Sequence, residues 1–218
     1  MKKIRTIRAL FCIILLAGMS PLYAGEVYIT IEGKRQIAPH DTVVELVGNS
    51  DISLAPMEVE ISQHDREFTS EISVVSRGSS VLFSNDDPFQ HHVYSVSKGN
   101  QFDLPLYQDK PSRLIEFDNN GIVKLGCNIH DWMLAFVYVS ESPHFVITDA
   151  SGKAHFTGIP AGEYQLRVWN PRLRNNKKII TQSLSISDSE ATSLTLSVSL
   201  RKNIRKPERP KSYGGYDY

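Results

Sequence analysis

From Val27 to Leu200 the sequence runs in short stretches rich in β-branched, aromatic and aliphatic residues, each soon closed by Gly, Pro, Asn or Asp. No stretch keeps a helical apolar period long enough to make a major helix. Runs this short cannot bury themselves, so they must pair into sheets. Many of them at such spacing imply a sandwich or a barrel. The runs predicted as strands are 27–31, 42–47, 57–61, 68–75, 79–83, 92–96, 104–107, 114–117, 122–125 and 133–139, then 145–148, 153–156, 164–169 and 193–200. The last is the cleanest: Ser193-Leu194-Thr195-Leu196-Ser197-Val198-Ser199-Leu200 alternates hydroxyl and apolar side chains, as a strand with one wet face does.

A seam falls at Ser140-Glu141-Ser142-Pro143, which divides residues 25–140 from a smaller β-sandwich expected over 141–200. The alternative is that 141–200 adds strands to the first sheet. Residues 1–24 read as a secretory signal: Lys2, Lys3, Arg5 and Arg8 precede the apolar run Ala9 to Ala17, with cleavage expected after Ala24. A retained anchor is the competing reading. Removing the segment leaves 20 basic against 24 acidic residues, a net charge of −4, which argues against a nucleic-acid partner. Residues 201–218 carry six basic residues before Ser212 and little apolar content, so they read as a disordered basic tail. Such an arm suits an acidic partner or an anionic membrane surface.

Cysteine usage sharpens the picture. Cys12 leaves with the signal segment, and Cys127 remains alone in an oxidising compartment where cysteines usually pair. An unpaired thiol there is a liability or a ligand. Its surroundings favour the ligand: Cys127, His130 and Met133 form Cys-x2-His-x2-Met, the thiol, imidazole and thioether that redox-active copper prefers. One histidine from His91-His92 completes a His2Cys trigonal set with Met133 as the long axial ligand, the donor pattern of a single type 1 copper. Adjacent strand residues point to opposite faces, so His91 and His92 cannot both serve. Zinc with a water would also fit His2Cys, but Met133 then has no task. Asn85-Asp86-Asp87-Pro88 reads as a loop bend that aims the upstream histidine rather than as an acid–base pair.

Phe83-x-Asn85, with His91 six positions after the Asn, followed by Cys127, His130 and Met133, resembles the plastocyanin/amicyanin group of cupredoxins. The stretches His91–Ser95, Phe102–Tyr107 and Leu125–Met133 are similar to exported plastocyanin-like proteins labelled methylamine-utilisation proteins, over most of residues 25–172. Thr148–Asn170 resembles a carboxypeptidase-regulatory or transthyretin-like β module. The resemblance implies an all-β fold: a cupredoxin-like Greek-key β-sandwich over 25–140 followed by the small sandwich over 141–200. It selects His91 over His92 as the fourth ligand. His92 then stands where the family commonly has an Asn that braces the ligand loop, a departure in the bonding around the site.

The signal segment implies export to the periplasm, and a copper site with no open coordination position implies a non-enzymatic carrier of single electrons. Its partner would be a c-type cytochrome or a dehydrogenase, met through an apolar patch that Trp132 and Met133 would supply. Two other readings use the same ligands: copper delivery, storage or sensing, and an envelope scaffold with structural copper. A multicopper enzyme is disfavoured, since there is one thiol and no His-x-His pair. His40, His64, His144 and His155 lack ligand spacing and read as surface residues.

Overall fold

In the computed structural model, residues 24–48, 55–111, 113–175, 178–203 and 207–208 are described. The expected signal segment and most of the basic tail lie outside them. Sixteen strands run through these residues, with one 3-10 turn at Lys34–Gln36. β1 (Ala24–Gly33) and β2 (Val43–Gly48) come first. The central stretch holds β3 (Glu58–His64), β4 (Glu67–Phe68), β5 (Ile72–Ser76), β6 (Ser79–Asn85), β7 (His91–Ser95) and β8 (Phe102–Tyr107). It continues through β9 (Ile115–Phe117), β10 (Gly121–Gly126) and β11 (Leu134–Ser140). β12 (His144–Ile147), β13 (Lys153–Pro160), β14 (Gly162–Trp169), β15 (Ile180–Ile186) and β16 (Thr192–Val198) end the series. The all-β class expected from the sequence is the class observed. No helix among the described residues is long and apolar enough to cross a membrane.

The central strands form two sheets, β4-β3-β6-β9 and β5-β11-β10-β7-β8. The chain passes from one sheet to the other between β4 and β5, β5 and β6, β6 and β7, β8 and β9, and β9 and β10. Neighbours in a sheet are therefore seldom neighbours in sequence, the interleaved connectivity of a Greek-key sandwich. Between the sheets lies one core, with Val81, Phe83, Val93, Phe117, Val123 and Leu125 at its centre. The run 68–75 is broken into β4 and β5 because the chain changes sheet between Phe68 and Ile72.

The remaining strands build a second sandwich from sheets β13-β1-β16 and β12-β2-β14-β15. Its boundary differs from the seam expected at residue 140. β1 pairs antiparallel with β13 and parallel with β16, and β2 pairs with β12 and β14. The reason is where the apolar faces go. Val27, Ile29 and Ile31 of β1 and Val43, Val44 and Leu46 of β2 join Phe156, Leu166, Val168 and Trp169 in a second core. Residues 24–48 thus belong with 144–198, and the sandwich of β3–β11 is inserted between them.

β11 is the shared wall. Every one of its residues is buried. Val137 and Val139 face the first core while Phe136 and Tyr138 face the second, where both rings pack on Trp169. At the same seam Glu45 of β2 is buried and accepts hydrogen bonds from Tyr138 Oη at 2.7 Å, Ser140 Oγ at 2.5 Å and the Glu141 and Ser142 amides at 3.0 and 3.2 Å. The start of the C-terminal arm is also fastened: Arg201 donates to the carbonyls of Leu173 and Arg174.

Candidate metal centre

Two loops at one end of the inserted sandwich meet. The first follows β6, where Asn85 bends the chain. Its Nδ2 donates to the Phe89 carbonyl at 2.8 Å, and its Oδ1 accepts from the Asp87 amide at 3.0 Å. That turn sets His91 at the head of β7 with its ring fully buried. The second loop leaves β10. A Cβ on Gly126 would meet the Tyr94 ring at 2.9 Å, so the close approach of β10 to β7 just before Cys127 needs glycine. The amide of Met133 donates to the His130 carbonyl at 2.9 Å, closing a tight turn that swings His130 back over Cys127.

His91, Cys127 and His130 converge: their ligand atoms all lie within 4.8 Å of one another. The Nδ1 atoms of His91 and His130 are 3.2 Å apart, and Cys127 Sγ is 3.7 Å from His130 Nδ1. Nitrogens about 2.0 Å and a sulfur about 2.3 Å from one ion would, at these separations, subtend about 105–120°. That lies between tetrahedral and trigonal, and soft S,N donors in that geometry fit copper or zinc. The three residues are 0, 4 and 5% exposed, so water is kept from the donors.

Tautomers follow from the partners. His91 Nε2 lies 2.7 Å from Asp87 Oδ2, in a buried pair. Burial alone pushes the Asp87 carboxyl up, but the amides of Arg66 and Asp65 and the His91 ring outweigh it and hold it below its usual range. An ionised carboxylate only accepts, so in this pair His91 Nε2 is the donor. Two imidazole nitrogens and a sulfur thus face one point.

The other sequence-predicted residues fall as follows. Met133 is 2% exposed and buried in the same apolar core as Cys127. It cannot contribute to a surface patch, contrary to the expectation, because its side chain follows the inward face of β11. Trp132 is half-buried, its ring tilted against that of His130 with centroids 5.2 Å apart, and it donates its Nε1–H to the Arg66 carbonyl. It lines a cleft shared with Asp41 and Arg172 of the second sandwich. The exposed apolar residue of the loop is Ile129, at 50%. Phe89 sets its edge against both His91 and His130, with the Arg66 guanidinium over its ring. His92 points away from the cluster, with Nε2 2.8 Å from Asp103 Oδ1 and 3.3 Å from Asn128 Nδ2 in the Cys127–His130 loop. Of the remaining histidines, His40, His64 and His155 are exposed, but His144 is half-buried against Tyr164.

Sequence reasoning treated Asp87 only as part of a bend, and Phe89 and Ile129 escaped it. Asp87 stands four residues before His91, the one spacing that could have drawn notice.

No family model and no curated protein matches the chain. Among solved structures it is similar to a copper-containing nitrite reductase from Thermus scotoductus SA-01, at 21% identity and TM-score 0.37, covering 45% of this chain and 26% of that one. The chain thus spans about a quarter of that enzyme's length. A purple cupredoxin from Nitrosopumilus maritimus matches at 20% identity and TM-score 0.33, covering 38% and 99%. A reduced amicyanin variant matches at 14% identity and TM-score 0.36, covering 46% and 99%. These neighbours are cupredoxins and a cupredoxin-containing enzyme at low identity and partial coverage.

Proposed function

We propose that the chain is an exported copper protein that carries single electrons between partners in the cell envelope. The observation that supports it is the convergence of two imidazole nitrogens and a thiol sulfur in a buried pocket. Copper bound there supplies a one-electron Cu(II)/Cu(I) couple. His91, Cys127 and His130, together with Met133, would hold it.

The protein's own part is to keep those donors where they are. Asp87, Phe89 and Trp132 fix the two imidazole rings, and His92 ties down the loop through Asn128. Ligands held this firmly change little between oxidation states. A pocket closed by its own ligands gives a substrate no place to bind, which favours a carrier over an enzyme. Electrons would pass at the His130 edge, beside the exposed Ile129. The partner class is a c-type cytochrome or a dehydrogenase, and the contact is small and transient.

Electron self-exchange tests the route. Ile129→Lys sets like charges against each other when two copies meet at this face, so the rate measured by NMR line broadening in Cu(I)/Cu(II) mixtures is expected to fall by about tenfold. The potential is expected to stay where it is. An unchanged rate would remove the His130 edge as the route. Prompt loss of Cu(I) to a competing chelator would instead favour copper delivery.

A further inference from the structure

We propose that Asp87 is the positioning residue of this centre: its carboxylate fixes His91 in the Nε2–H tautomer and, as a negative charge on that ligand, favours the oxidised metal. This rests on the copper reading above. Three observations carry it. His91 Nε2 lies 2.7 Å from Asp87 Oδ2, and both side chains are buried. The carboxylate is itself held: Oδ1 accepts from the Asp65 amide at 2.7 Å and Oδ2 from the Arg66 amide at 2.9 Å. Those amides belong to the turn between β3 and β4, so Asp87 cannot swing away without breaking that turn. Of the titratable groups near it, His64 lies on the solvent side, with Nδ1 3.8 Å from Oδ1.

The consequence is electronic as well as geometric. A carboxylate sharing the remote proton of a ligand imidazole makes the coordinating nitrogen more basic. The gain is larger for Cu(II) than for Cu(I), because the higher charge draws more from the donor. Asp87 therefore selects which nitrogen of His91 faces Cys127 and His130, and lowers the potential of the couple.

Two measurements on the full chain test this. In the metal-free protein, nitrogen-15 NMR is expected to show His91 as the Nε2–H tautomer; an Nδ1–H tautomer overturns the positioning role, and needs no variant. In the copper-loaded protein, Asp87→Asn is expected to weaken Cu(II) about tenfold more than Cu(I), which raises the potential by about 59 mV. A variant that melts earlier but keeps the wild-type potential makes Asp87 a structural residue only. Should wild-type protein give no thiolate-to-copper band, the copper reading and the electronic half fall together, while the tautomer result still decides the positioning half.

Discussion

Replacing Cys127 with Ser is expected to abolish the intense thiolate-to-copper absorption of the Cu(II)-loaded protein and to weaken copper binding by more than about 100-fold. The hydroxyl is close in size to the thiol and sits in the same buried position, so the fold should survive. What it lacks is chemistry: a serine hydroxyl stays protonated near neutral pH and is a hard donor, whereas the thiolate is soft and covalent. Titration with Cu(II), followed by absorption and by competition with a chelator, measures both effects. A variant that kept the band would mean that another sulfur supplies it.

The second large effect lies at the seam between the sandwiches. Glu45→Ala is expected to lower the unfolding free energy by about 3–5 kcal/mol. The Glu45 carboxylate accepts from Tyr138, Ser140 and the Glu141 and Ser142 amides, and lies 3.7 Å from Arg167. Truncation leaves those donors buried without their acceptor, and each such group costs about 1–3 kcal/mol before relaxation. Tyr138→Phe removes a single donor and should cost only about 1 kcal/mol. Urea unfolding at constant slope reads both. A Glu45→Ala loss no larger than that of Tyr138→Phe would mean that water replaces the carboxylate and that Glu45 does not hold the seam.

The sequence made some of this legible because period-two alternation and turn residues report local structure directly. The strands around Val27, Val81, Leu125 and Leu194 were readable in this way. The donor types and spacing of Cys127, His130 and Met133 were equally local. Non-local pairing was not. Nothing in Val27–Ile31 announces that its parallel neighbour is Thr192–Leu196, so residues 24–48 were read with the wrong sandwich. β15 escaped because most of it is wet; in Ile180–Ile186 only Leu184 and Ile186 are buried. Glu45 interrupts an apolar run, and its partners on β11 and the bend after it lie more than ninety residues away. Asp87 was legible as a bend but not as a partner of His91, because a hydrogen bond to a ring nitrogen leaves no periodic signature. Met133 proved buried where a surface patch was expected, and the exposed Ile129 went unnoticed, for a simple reason: spacing shows which residues flank a ligand, not which of them the chain turns inward.

The most direct test of the central claim is the visible and EPR spectrum of the full chain titrated with Cu(II). The account predicts one equivalent bound, an intense thiolate-to-copper band that bleaches on reduction and returns on oxidation, and a narrow parallel copper hyperfine splitting. A pale spectrum with the wide splitting of a tetragonal site, the same with or without Cys127, would contradict it.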